Sequence, residues 1–246
     1  MKNKVILPST QQLLSAAYAI NAAYILSESS KSFKRPDAYE LVTNLVANPP
    51  GFSSELETFG YIEYYTVDDS VTIVFRGTNS FDDWVTNSDH AQLKHSDYSV
   101  HHGYDKLYNQ MDTAIKHVVN SLPKVKKINV YGHSLGGGLA IDCLLNLRIS
   151  FPNLPANAIT FASPRLLDIR GAEKLNHLAP NNYRVFNTED LVPTLPLAVL
   201  GHRNYAHAGI PLAFTLPKGD IKPNHAMETY IDGIKTLNLQ ENYDYE

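Results

Sequence analysis

The chain is nearly free of cysteine: Cys143 is the single one in 246 residues. No intramolecular disulfide can form, so the fold has to rest on its core. The helical, apolar setting of Cys143 predicts a packed thiol rather than a reactive one. Excess charge of one sign is also missing. The 21 Lys and Arg and the 25 Asp and Glu leave a net charge of -4, and no Lys/Arg block stands out, which removes the case for nucleic acid or an anionic membrane patch as a partner. There is no Gly/Ser/Pro-rich linker, composition break, internal repeat or low-complexity segment. Residues 1–246 are therefore expected to form one α/β domain rather than two small ones.

A transmembrane segment is lacking too. Val5 to Ser27 carries no charge and follows Lys2 and Lys4, but Pro8, Ser9, Thr10, Gln11, Gln12 and Asn21 interrupt its apolar residues. The stretch reads as an amphipathic packing helix capped at Ser9 or Thr10, with Leu13, Leu14, Ala17, Tyr18, Tyr24 and Leu26 near one face. With no clear cleavable leader, cytoplasmic residence and export by another route both stay open, and no feature specifies an oligomeric state. What is present in quantity is ordinary for a globular protein: 43% hydrophobic and 19% charged residues.

The most informative stretch is Lys127 to Asn146. Ile128 and Val130 alternate with polar neighbours, and after the glycines Leu139, Cys143, Leu144 and Leu147 recur at helical spacing. A strand must turn abruptly into a helix at Gly132-His133-Ser134-Leu135-Gly136. Such a turn holds its central residue at positive φ, and Gly132 and Gly136 leave room for it. Ser134 then stands at the positive end of a helix whose first N–H groups have no internal partner, a seat for a nucleophile.

Around this centre the residues suggest alternating elements. Asp37 to Ala47 has a helix-like pattern ended by Pro49-Pro50-Gly51. Phe59 to Val67 and Val71 to Phe75 read as an antiparallel hairpin. Asn79 to Ser99 shows little periodicity, and Tyr104 to Leu122 reads as a helix. Ala156 to Phe161 and Tyr183 to Phe186 are expected strands, with a helix over Asp168 to Leu178 between them. Tyr205 to Phe214 reads as a late hairpin or edge strand, and His225 to Ile234 as the last helix. Strands alternating with helices imply a mainly parallel sheet.

A serine hydroxyl needs a base, and the base needs a carboxylate to fix its tautomer. The order expected for this strand-turn-helix setting is Ser, then Asp or Glu, then His. His177, His202, His207 and His225 follow Ser134, and the acids among them include Asp168, Glu173, Glu189, Asp190 and Asp220. Asp190 sits in a turn just past a strand, which favours it over Glu173 in a helix. His225 opens a helix after the loop Lys222-Pro223-Asn224, whereas His207 lies in a strand-like run and reads as structural. His133, adjacent to Ser134, is expected to point away from it. The pairs His90 with His95 and His101 with His102 lack a ligand set, so no metal site is expected.

With these residues in hand, the chain resembles the class 3 lipases, the fungal-type triacylglycerol lipase family of α/β-hydrolases. The likeness runs from about the first hairpin to the last helix. Its motifs occur in order: Phe75-Arg76-Gly77-Thr78 with Trp84 following, Val100-His101-His102-Gly103-Tyr104, the Gly132 to Gly137 elbow, Thr160-Phe161-Ala162-Ser163-Pro164-Arg165, Asn187 to Pro193, and Tyr205-Ala206-His207-Ala208-Gly209. The resemblance implies an α/β-hydrolase fold, with a mainly parallel central sheet flanked by helices. It also implies Asp190 as triad acid, His225 as triad base, and an oxyanion hole formed by Thr78 and Leu135. Two positions depart from the family pattern: Ala162 stands where glycine is usual, and Leu166-Leu167 where a Val-Gly pair is usual, which leaves Asp168 as a rival acid.

By the same resemblance the segment at about 79–97 is a lid. Its apolar Phe81, Trp84, Val85 and Leu93 are interleaved with Asp82, Asp83, Asn87, Asp89 and Lys94, a mixture able to bury one face or present it to lipid. A surface loop whose Trp84 plugs the core is the rival reading. The function implied is a serine-dependent carboxylic ester hydrolase, a triacylglycerol lipase that works through an acyl-enzyme on acylglycerols or other esters at a lipid–water interface, without metal or organic cofactor. A phospholipase A1 and a short-chain carboxylesterase use the same triad and are the alternatives. A non-catalytic lipid-binding module of the same fold is the alternative from another class.

Overall fold

The structure, a computed structural model, describes residues 6–28, 37–49, 55–78, 91–122 and 124–237. Helix α1 (Thr10–Ser27) opens on a capping box in which the Ser9 hydroxyl accepts from Gln12 N–H and the Gln12 side chain accepts from Ser9 N–H. Its buried stripe is Leu13, Ala16, Ala17, Ile20 and Ala23. Tyr18, expected on that face, is 54% exposed, and the alanines carry the buried side in its place.

Strands β1 (Tyr39–Ala47), β2 (Glu57–Tyr65) and β3 (Ser70–Phe75) run antiparallel. The β2–β3 hairpin is the one the sequence predicts. β1 corrects the helix expected over Asp37 to Ala47. Its pairing with β2 shifts register between Leu41 and Thr43 and again between Leu45 and Val46. Those irregularities break the period-two alternation and leave apolar spacing that imitates a helix. Short strands β4 (Gln92–Lys94) and β5 (Ser99–His101) pair with each other and lead into α2 (His102–Ser121).

The parallel half of the sheet follows: β6 (Lys127–His133), α3 (Leu135–Ser150), β7 (Ala156–Phe161), α4 (Ile169–Leu178) and β8 (Tyr183–Asn187). Beyond a small ribbon of β9 (Val199–Leu200) and β10 (Arg203–Asn204), β11 (Ile210–Phe214) lies parallel to β8 at the sheet edge. The hairpin considered for Tyr205 to Phe214 is absent. Ala206 makes a single bridge to Leu167, and the strand starts only after Gly209 at φ 95. The chain closes with α5 (Ile221–His225) and α6 (Met227–Ile234).

The seven-stranded sheet runs β1-β2-β3-β6-β7-β8-β11. One face packs against α2, α3 and α4 through a core that includes Phe75, Tyr104, Tyr108, Leu139 and Leu144. The other packs against α1 and α6 through Ile20, Phe161, Val185 and Tyr230. Truncating one of the fully buried leucines to alanine is expected to cost about 2–5 kcal/mol. Cys143 is buried in the first core with its thiol pKa pushed up by burial, as a packing residue should be. No helix among the described residues is long and apolar enough to cross a membrane. The carboxyl ends of β3, β6, β7 and β8 share one rim, where an open α/β sheet gathers its reactive loops.

Candidate active site

Ser134 joins β6 to α3 at φ 58 and ψ -127, a conformation that non-glycine residues rarely adopt. Its neighbours explain why the turn closes. A Cβ on Gly132 would lie 2.0 Å from the Gly136 carbonyl oxygen, and one on Gly136 would lie 2.4 Å from the Arg76 carbonyl oxygen. Both positions exclude any side chain, so the elbow can press against the β3 loop. Gly137 and Gly138 donate their N–H groups to the Ser134 carbonyl. The Leu135 N–H precedes this first intrahelical bond, at the positive end of the helix dipole.

The structure brings three of the expected residues together. His225 Nδ1 lies 2.8 Å from Asp190 Oδ2, and His225 Nε2 lies 2.8 Å from Ser134 Oγ. An ionised carboxylate can only accept, so Nδ1 carries the proton; Nε2 is bare and accepts from the serine hydroxyl. Asp190 is 3% exposed and fully engaged. Its Oδ2 also accepts from the Tyr230 hydroxyl at 2.7 Å, and its Oδ1 accepts from Val192 N–H at 2.9 Å. Burying a carboxylate without such donors would cost several kcal/mol, on the order of the penalty for an unpaired buried ion. The Tyr230 hydroxyl pKa is itself held well above its ordinary value by burial and by the Asp190 charge.

His225 does not open the final helix as the sequence suggests. It ends α5, and the chain breaks at Ala226 before α6 begins. The expected loop Lys222-Pro223-Asn224 is instead part of the short α5, and the extended Ala226 separates it from α6, which starts two residues later than expected. Asn224 and Asn187 anchor this break. The Asn224 amide donates to the Glu189 carbonyl, and the Asn187 amide donates to the carbonyls of Leu216 and Asn224. The loop that carries Asp190 is thereby tied to the loop that carries His225.

Thr78 is half-buried just past β3. A Cβ on Gly77 would approach Ser134 Cβ to 2.8 Å, so the Gly77–Thr78 peptide lies directly beside the elbow. Arg76 sets that peptide's direction: its Nη1 donates to the Gly77 carbonyl at 2.7 Å, while Nε donates to the Thr58 carbonyl at 2.6 Å and Nη2 to Glu57 at 3.1 Å. In a trans peptide the Thr78 N–H must point opposite to that held carbonyl. Phe81, Trp84 and Val85 lie outside the described residues.

Three of the other candidates are used elsewhere. Asp168 caps α4 by accepting from Gly171 N–H at 2.7 Å, and Asp220 caps α5. His207 Nε2 donates to the Pro193 carbonyl at 2.8 Å, and burial pushes its pKa down to about 3, so the ring stays neutral. His133 does point away from the serine hydroxyl, yet its ring lies 4.8 Å from that of His225. Tyr230, Asn224 and Tyr24 carry no sequence signal of their own, and Asn187 only opens the motif that ends at Pro193. A polar residue at a strand end, as Asn187 is, offers the nearest hint.

At Ala162 the backbone has φ 51, the left-handed region that accounts for glycine in the usual family pattern. Leu166 and Leu167, at 2% and 0% exposure, fill the core beside it. Neither departure displaces Asp190 from His225.

The family described as Lipase (class 3) matches residues 72–200. The lipase of Rhizomucor miehei is 29% identical over 150 residues, which is 57% of this chain and 40% of the relative. Phospholipase A1-Igamma2, chloroplastic, of Arabidopsis thaliana is 25% identical over 217 residues, covering 65% of this chain and 41% of the relative. The crystal structure of a lipase from Rhizopus microsporus var. chinensis superposes with TM-score 0.69 at 19% identity, over 93% of this chain and 85% of that one. The chain thus spans about 40% of the length of these two curated relatives, and the structural likeness speaks for the α/β-hydrolase fold.

Proposed function

The chain belongs to the class 3 lipase family, and from that premise we propose that it is a serine-dependent carboxylic ester hydrolase, a triacylglycerol lipase formed as one α/β-hydrolase domain. The observation that carries this reading is the unbroken chain from Asp190 through His225 to Ser134, with both contacts at 2.8 Å.

In the mechanism, Ser134 Oγ attacks the ester carbonyl as its proton passes to His225 Nε2, and Asp190 stabilises the imidazolium through Nδ1–H. The carbonyl oxygen becomes an oxyanion that accepts from the N–H groups of Leu135 and Thr78, held in advance by the helix start and by Arg76. Collapse of the tetrahedral intermediate breaks the bond to the alcohol, which leaves with the proton from His225. Water then attacks the acyl-enzyme with His225 as base, the fatty acid departs, and Ser134 regains its proton. The segment at about 79–97 follows Thr78 directly in sequence, and on that and the family resemblance we assign it as a lid. An acylglycerol at a lipid–water interface is the expected substrate.

The similarity to a phospholipase A1 favours one second reading, hydrolysis of the sn-1 ester of phospholipids. The experiment is a rate comparison on triolein emulsion, phosphatidylcholine vesicles and p-nitrophenyl esters of graded chain length, with Ser134→Ala as control. The lipase reading expects fatty acid from triolein and none with Ser134→Ala. Release from phosphatidylcholine alone selects the phospholipase. Turnover by Ser134→Ala at the parent rate overturns the mechanism, and no hydrolysis of any substrate by the parent leaves the lipid-binding module.

A further inference from the structure

We propose that Tyr24 and His133 are positioning residues for the proposed ester hydrolysis, joining the oxyanion-side peptide to the catalytic histidine through a hydrogen-bonded chain that includes the N-terminal helix. The inference rests on the reading of Ser134, Asp190 and His225 given above. Neither Tyr24 nor His225 falls within the stretch 72–200 matched by the family.

The chain has three links. Gly77 N–H donates to the Tyr24 hydroxyl oxygen at 2.9 Å, the Tyr24 hydroxyl lies 2.7 Å from His133 Nδ1, and His133 Nε2 lies 2.9 Å from the backbone carbonyl of His225. The directions of all three follow from chemistry. A carbonyl can only accept, so His133 Nε2 must carry a proton. Burial holds the His133 pKa well below its usual value, and a proton on His225 would only push it lower, so the ring is neutral and Nδ1 is bare. Nδ1 therefore accepts, and the Tyr24 hydroxyl must be its donor. The hydroxyl oxygen remains free to accept from Gly77. Each group does what only it can do at that place, and His133, 4% exposed, is shielded from water that would compete for its two bonds.

The two ends of the chain are what give it a role. At one end, Gly77 precedes the peptide whose N–H belongs to Thr78; Arg76 grips the carbonyl of that peptide and Tyr24 grips the N–H one residue before. At the other end, the His225 carbonyl lies at the finish of the five-residue α5, just before the break at Ala226. Asp190 fixes the His225 ring by its side chain, and His133 fixes the same residue by its backbone. Tyr24 itself is held in the last turn of α1, where the Ser27 hydroxyl donates to its carbonyl at 2.7 Å. The oxyanion-side peptide and the base are thus joined by one path through Tyr24 and His133.

The test uses the full chain, p-nitrophenyl butyrate as a soluble ester, and Tyr24→Phe, His133→Leu and His133→Gln. Tyr24→Phe removes one oxygen and breaks two links, and is expected to lower kcat by roughly tenfold to a hundredfold with KM within about twofold, the scale of a small misplacement of catalytic groups. His133→Gln keeps one donor and one acceptor and is expected to retain most of kcat, whereas His133→Leu falls at least as far as Tyr24→Phe. The double variant Tyr24→Phe with His133→Leu should lose little beyond His133→Leu, because both break one path. Parent kcat in Tyr24→Phe, or equal losses in His133→Gln and His133→Leu that track falling thermal stability, overturns the inference. If the parent hydrolyses no ester, the functional reading fails instead, and the arrangement is then decided by ring 15N NMR. The expected spectrum has His133 protonated on Nε2 and bare on Nδ1, with the Nδ1 signal shifting in Tyr24→Phe; protonation on Nδ1 in the parent overturns the chain.

Discussion

Two acid–histidine sets are drawn from the same part of the chain, Asp190 with His225 and Asp168 with His207, and only one of them meets on Ser134. The difference is in what each side chain does for the backbone. Asp168 turns Oδ1 onto Gly171 N–H and starts α4, and His207 holds the Pro193 carbonyl. Each stabilises a loop and goes no further. Asp190 also serves the backbone, accepting from Val192 N–H with Oδ1, but its Oδ2 is left to take both His225 and Tyr230. A carboxylate with a second oxygen aimed at a histidine, in a loop past a parallel strand, is available for chemistry. One whose neighbours put it at a helix start is a cap.

That contrast is broken most severely by exchanging the roles of the two acids. Asp190→Asn and His225→Ala are each expected to lower kcat by about 10⁴, while Asp168→Asn leaves it within about twofold, since an asparagine oxygen still caps a helix. Steady-state kinetics on a soluble ester decide the matter. A large loss in Asp168→Asn would make it the acid and sink the assignment.

The second test reads the structural histidine by pH. His207 titrates near its ordinary value when unfolded and near 3 when folded, so between about pH 6.5 and 3 the unfolded chain binds more protons. Stability therefore falls as the solution is acidified through that window and is unaffected above it, at up to about 1.4 kcal/mol per pH unit from this one group. His207→Gln, which keeps a donor for the Pro193 carbonyl, should show a shallower acid slope in urea unfolding and an unchanged kcat at pH 7. An identical slope would mean that the ring is protonated in the folded protein.

The smallest expected effect sharpens the cap. Asp168→Ala should cost about 1 kcal/mol, a Tm shift of a few degrees for a chain of this size, with kcat unchanged. A loss of rate without a loss of stability would place Asp168 in the site after all.

Local signals were legible where local chemistry decides. Strand, elbow and helix at Lys127 to Asn146 follow from β-branched residues, two indispensable glycines and helical spacing, and the structure reproduces them within a residue or two. The β2–β3 hairpin and β7 were equally plain. β1 was not, because its register shifts scramble the alternation. The short α5 was hidden as well, since Pro223 suggests a loop although proline is tolerated in the first turn of a helix.

The sequence by itself determined the nucleophile's seat, since a strained serine between Gly132 and Gly136 needs no distant partner to be recognised. The order of motifs likewise determined the family. Position and motif order already pointed to Asp190 and His225, but only the tertiary structure brings them to 2.8 Å contacts in line with Ser134, because that depends on where the sheet's rim carries each loop. Only the tertiary structure, too, could place Tyr24 of α1 against His133, 109 residues away. Local propensity acts over a few residues, whereas a buried hydrogen bond between distant segments exists only once packing has excluded water from both ends.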